Sequence, residues 1–118
     1  MKKFLALYLG TESALEQSGW KAMDEKKQKE RQQAGIEAWM KWGTINQAAI
    51  VDNGAPLGKT KRTSPQGIEN VKNNITGFVV VEAESHEAAA KLFVGHPHFM
   101  IFPGDSVEVM ECLPLPAM

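Results

Sequence analysis

Gly77-Phe78-Val79-Val80-Val81-Glu82-Ala83, with Ser85 just behind it, sets the architecture of this chain. Its β-branched and aromatic residues make it the clearest strand in the sequence. Ser85 stands where a helix begins: its hydroxyl can accept an unpaired backbone N–H, and Glu87 complements the helix dipole in the first turn. Ala89, Leu92 and Phe93 give that helix a buried face, and Gly95 followed by Pro97 ends it. A final strand, Ser106 to Cys112, alternates Val107 and Val109 with Glu108. Leu113-Pro114-Leu115-Pro116 then opens an extended tail over 113–118.

Upstream the same order is expected. Phe4 to Leu9 is apolar on both alternating sets, Phe4/Ala6/Tyr8 and Leu5/Leu7/Leu9, as in a central strand covered on both faces. Thr11 to Gly19 reads as a polar connection with a helical turn. From about Ala22 to Trp42 the chain lacks proline and is rich in helix formers. Ile36, Trp39, Met40 and Gly43 align on one face of this helix, while Asp24 to Arg31 is charged all round and should stand in water. Gly35 marks either close packing or tolerance, and Gly43 is a natural C-cap.

Ala48 to Val51 forms a short strand, ended by a turn at Asp52-Asn53-Gly54. Leu57 to Thr63 fits a polar edge strand whose lysines deter unwanted pairing, and Ser64 to Asn74 reads as a loop. The sum is one α+β domain over 1–118: a ferredoxin-like split β-α-β arrangement with an antiparallel sheet and helices on one face. The opposite, apolar face then needs cover from another chain or a ligand, and dimerisation through the sheet is the expected solution.

Composition excludes several functions. Thirteen basic against fourteen acidic residues leave a formal charge of −1 over 118 residues, too little to hold nucleic acid or an acidic membrane through net charge. Between 82 and 111 there are six acids and one base, Lys91, which argues against nucleic acid on that half. A single cysteine, Cys112, excludes an internal disulfide and a thiolate-rich zinc site; it is read as a buried, inert thiol. Met1-Lys2-Lys3 before Phe4–Leu9 has the look of a signal peptide. The apolar run is nevertheless shorter than the usual ~7–15 residues, and no small-x-small cleavage site follows. No run approaches the ~18 apolar residues of a membrane span, so a cytoplasmic protein is expected.

His96-Pro97-His98 is the most chemically suggestive tripeptide. In extended backbone both imidazoles point to one side, where either could act as a general base near pH 7. With Asp105 or Glu108 they could hold a divalent metal, yet two histidines fall short of a catalytic zinc site's three protein ligands. No metal and no cofactor is therefore expected, and a structural role at a helix end competes with catalysis. Trp39, Trp42, Met40 and Tyr8 are candidates to line a ligand cavity between helix and sheet, against the plainer reading as core. Trp42 lies off the Ile36–Trp39–Met40 face, so the alternative for it is a place at a dimer contact or a pocket edge. Lys59, with Lys61 and Arg62, forms a basic spot that could meet an anionic substrate or simply solvate an edge strand. Gly58-Lys59-Thr60 is no P-loop: three residues rather than four separate Gly54 from Gly58, and no helix follows.

Several motifs occur in a familiar order: Trp39-x-x-Trp42, Ile50-Val51-Asp52-x-Gly54-x-Pro56-Leu57-Gly58, Thr76-Gly77-Phe78-Val79-Val80-Val81-Glu82-Ala83, Gly95-His96-Pro97-His98 and Gly104-x-Ser106-Val107-Glu108-Val109. In that order and spacing they resemble the YCII-related (YciI-like, DGPF-type) proteins, over nearly the whole chain. The resemblance implies a dimeric α/β barrel of ferredoxin-like subunits, a homodimer joined through the sheet face. Some YciI-like members are thought to use a His–Asp pair, the histidine from the first helix and the aspartate from an Asp-Pro step after the second. Here His96-Pro97 replaces Asp-Pro and the first helix has no histidine, so that chemistry is not carried over. Two functions follow. One is binding or transforming a small molecule in a helix–sheet cleft lined by His98, His96 and Trp39. The alternative is a non-catalytic dimeric module for another protein such as a transcriptional regulator, contacted through Lys26–Arg31 and the proline-rich tail.

Overall fold

The computed structural model describes residues 1–116, so the last two residues of the expected tail lie outside the described residues. The chain runs through β1 (Lys2–Leu9), α1 (Glu12–Gln17), a 3-10 turn (Trp20–Ala22), α2 (Glu25–Ile45), β2 (Ile50–Pro56), β3 (Thr60–Ser64) and β4 (Gly67–Val71). It continues through β5 (Ile75–Ala83), α3 (His86–Lys91), α4 (Pro97–Met100) and β6 (Ser106–Glu111). Four strands pair antiparallel in the order β2-β5-β1-β6, which is the expected ferredoxin-like split β-α-β topology. β1 is central because it is apolar on both sides. Phe4 opposite Val81, Ala6 opposite Val79 and Tyr8 opposite Gly77 face the helices and are buried. Ala89 and Phe93 complete this core, and Trp39, Trp42 and Leu92 pack on it. As expected, α3 starts at Ser85, whose hydroxyl accepts the Ala88 N–H at 3.0 Å.

Within this chain only one sheet face is covered. Leu5, Leu7, Leu9, Phe78 and Val80 are half-buried on the other face, and Met110 is exposed. The smallest dimension of the molecule, 19 Å, matches two layers of about 10 Å each. Nothing in the described chain lies over that face. Among the described residues no helix is long and apolar enough to cross a membrane.

Several expectations are corrected. α2 continues through Gly43 to Ile45, where Asn46 caps it by donating Nδ2–H to the Trp42 carbonyl at 2.9 Å. Its inward stripe is Arg31, Gly35, Ala38, Trp39, Trp42 and Asn46, whereas Ile36 and Met40 are 42% and 68% exposed. Gly35 is there for close packing: a Cβ would stand 2.5 Å from Phe102 Cε2. β2 begins later than expected and passes through Asp52-Asn53-Gly54, which form a bulged segment with register shifts against β5 rather than a turn. The Gly54 N–H donates to Asp52 Oδ1 at 2.8 Å, and Gly54 has φ +64 and sits where a Cβ would overlap the Phe78 carbonyl, a place only glycine fits.

The expected edge strand and the Ser64–Asn74 loop are instead one separate hairpin, β3 with β4, turning at Pro65-Gln66. Arg62–Glu69 at 3.3 Å and Lys61–Asn70 at 2.8 Å hold its strands by polar pairs. Cys112 is exposed, not buried, because it follows the last strand at the chain's open end. The free edge of β6 is blunted where His86 Nε2–H donates to the Val109 carbonyl at 2.7 Å.

Candidate functional site

Tyr8 is the centre of an aromatic cluster under α2. Its ring lies 4.8 Å from Trp39 and 5.2 Å from each of His96 and His98, centroid to centroid. Its hydroxyl stands 3.4 Å from His96 Nε2. Burial pushes the Tyr8 phenol well above its ordinary range. Burial, and secondarily the neighbouring His98, lowers His96 to about 4. His98 is lowered by burial too, partly offset by the Leu9 carbonyl, Asp105 and the Ser106 backbone. All three side chains are therefore neutral at pH 7.

Local sequence explains how the histidines reach Tyr8. His96-Pro97-His98 is not extended throughout; it opens α4, with His96 as N-cap and Pro97 in the first turn, where its missing N–H costs nothing. His96 Nδ1 accepts the His98 backbone N–H at 3.0 Å. His98 Nε2–H donates to the Leu9 carbonyl at 2.7 Å, beside the Asp105 N–H on the same oxygen at 2.9 Å. Gly104 packs so closely on the His98 ring that a Cβ there would overlap it. His98 thus ties α4 to the end of β1 and the start of β6.

Two cavities meet at Tyr8, Trp39 and Asn53, which line both. One, of about 220 Å³, extends towards Pro56, Thr76 and Phe78. The other, of about 510 Å³, extends past Trp42, Ile50 and Val79. Trp39 also borders an apolar recess of about 420 Å³ with Ile36, Met40, Pro56 and Phe102. Together they form a cleft between α2 and the β2 side of the sheet. His96 and His98 line none of these spaces; both are buried against Tyr8. Trp42 is anchored by its Nε1–H to the Leu92 carbonyl at 2.8 Å and packs on Phe93 and His96.

The structure thus brings Tyr8, Trp39, Trp42, His96 and His98 together. Lys59 is elsewhere, lining a separate cavity of about 600 Å³ at the base of the hairpin with Lys61 and Lys72. Asn53 sits in a stretch that suits a turn, and neither it nor Phe102 carries a local sequence signal for a cleft. Pro97 after a potential capping side chain was a signal for the start of α4. Among the described residues, no group of three or more His, Cys, Asp or Glu side chains could hold a metal ion.

No family model matches the chain, and no curated protein sequence does. A solved structure does match: 5-chloro-2-hydroxyhydroquinone dehydrochlorinase (TftG) from Burkholderia phenoliruptrix AC1100, in complex with 2,5-dihydroxybenzoquinone. The TM-score is 0.52 at 17% identity, covering 92% of this chain and 90% of that one. The likeness is one of fold. At this identity no residue role passes from one chain to the other.

Proposed function

We propose that this protein binds a small, largely apolar molecule in the cleft between α2 and the β2 side of the sheet, with Tyr8 as its polar contact. The observation that carries this reading is the convergence of both cavities on Tyr8, Trp39 and Asn53. Trp39 and Trp42 form the aromatic wall, while His96 and His98 hold Tyr8 from behind rather than touching the ligand. Lys59 takes no part. That a protein of similar fold was solved with a small quinone bound is in keeping with this use of the fold. Trp39 makes the test direct: ligands found by thermal-shift screening should quench intrinsic tryptophan fluorescence. Tyr8→Phe should then weaken binding by up to about tenfold, the loss of one hydrogen bond. A ligand whose affinity is untouched by both Tyr8→Phe and Trp39→Phe would show that the site lies elsewhere.

The uncovered sheet face supports a second element of the reading, a homodimer in which two copies cover Leu5, Leu7, Phe78 and Val80 of each other. A formal charge of −1 per chain opposes such docking little, and the resemblance to YCII-related proteins points the same way. Sedimentation at micromolar concentration should give a dimer, and Leu7→Glu a monomer. A monomeric wild-type chain would count against the homodimer and favour a different protein over this face.

A further inference from the structure

We infer that the cleft selects ligands presenting a hydrogen-bond acceptor, such as a carbonyl oxygen, because a one-way chain of hydrogen bonds through His96 leaves the Tyr8 hydroxyl as a donor. The inference rests on the reading of the cleft as a ligand site. Its first link is the His98 backbone N–H, which can only donate. That group lies 3.0 Å from His96 Nδ1, so Nδ1 must carry a lone pair and no proton. A neutral imidazole holds one proton, which is then on Nε2. Nε2 faces the Tyr8 oxygen at 3.4 Å and donates to it.

The phenol oxygen is thereby an acceptor towards His96, and its own hydrogen cannot point back along the same line. No other hydrogen bond to the Tyr8 hydroxyl is made among the described residues. Tyr8 lines both cavities of the cleft, where an acceptor on a ligand would complete the chain. Burial disfavours ionisation of both partners, so the direction of the chain persists at neutral pH. Around it Trp39, Ile50 and Val79 offer no hydrogen bond through their side chains apart from the indole N–H, itself a donor, while Asn53, Thr76, Thr44 and Gln47 on the rest of the lining can both donate and accept. At Tyr8 the cleft therefore offers a donor, which matches an apolar body carrying an oxygen acceptor. His96 acts here as a positioning residue.

Two measurements on the full chain test this. Long-range 15N–1H correlation of the histidine rings should show His96 as the Nε2–H tautomer; an Nδ1–H tautomer overturns the inference. Acetophenone and α-methylstyrene, which differ by C=O against C=CH₂ in the same shape, are then titrated by tryptophan fluorescence into wild type and Tyr8→Phe. The ketone-to-hydrocarbon affinity ratio should fall about fivefold in the variant, as loss of one net hydrogen bond predicts. A ratio that does not change, with both probes bound, overturns the inference and leaves the cleft standing as a site. Binding of neither probe by the wild type counts against the cleft itself and removes the inference with it.

Discussion

Acid should unfold this protein earlier than its exposed carboxylates alone would require, because His96 is fully buried and neutral. Its pKa falls from 6.5 to about 4 on folding, by burial first and by His98 second. Between those two values the unfolded chain binds a proton that the folded chain does not. Stability from this group is thus complete above pH 6.5, declines as pH falls, and reaches its floor near pH 4. The gap corresponds to about 3 kcal/mol, a large part of the ~5–15 kcal/mol that holds a typical domain together. His98, lowered in the same direction, adds to the slope. Urea unfolding at pH 7, 6, 5 and 4 should be measured for wild type and His96→Gln, in which the position no longer titrates. The variant will be less stable at pH 7, since it loses the Nδ1 cap, but the difference between the proteins should shrink by about 3 kcal/mol by pH 4. Curves that run parallel from pH 7 to pH 4 would refute a neutral, buried His96.

Gly35→Ala should lower stability by about 1–3 kcal/mol through overpacking on Phe102, despite alanine's better helix propensity; a urea midpoint above that of wild type would contradict the packing. Trp42→Phe leaves the Leu92 carbonyl without its indole donor and should cost about 1–3 kcal/mol, read as a lower Tm. His86→Ala uncovers the Val109 carbonyl on the β6 edge, so larger species should grow with protein concentration. His86→Gln, which can still donate, should reverse this; identical sedimentation of wild type and His86→Ala would count against an edge-guarding role.

Much of the architecture was legible because its signals are local. The β5–Ser85–α3 unit needs only alternation, a hydroxyl cap and a glycine stop, all within one stretch of chain. The double-sided apolar pattern of Phe4–Leu9 likewise places β1 at the centre of the sheet. α2 was legible as a helix but not in its facing. Its packing depends on Gly35, which has no side chain to count, meeting Phe102 from a distant loop, so Ile36 and Met40 mimicked a buried stripe. Asp52-Asn53-Gly54 suits a turn and a bulge equally; pairing with β5 decides, and that is non-local. The hairpin carries no apolar alternation to mark it, and its cross-strand neighbours, such as Arg62 and Glu69, are polar and exposed. Within the site, Tyr8, Trp39 and Trp42 could be named from type and spacing. The role of His96 depends on which atom faces the His98 N–H, and only the folded chain supplies that.

The central claim is that the Tyr8–Trp39 cleft is the binding site. Amide and indole 15N–1H spectra of the full chain, titrated with acetophenone, test it most directly. The account predicts saturable shifts at the Trp39 indole N–H, the Asn53 side-chain amide and the Gly77 backbone, which surround Tyr8. Shifts confined to Lys59, Lys61, Asn70 and Lys72 at the hairpin cavity, or none at all, would contradict it.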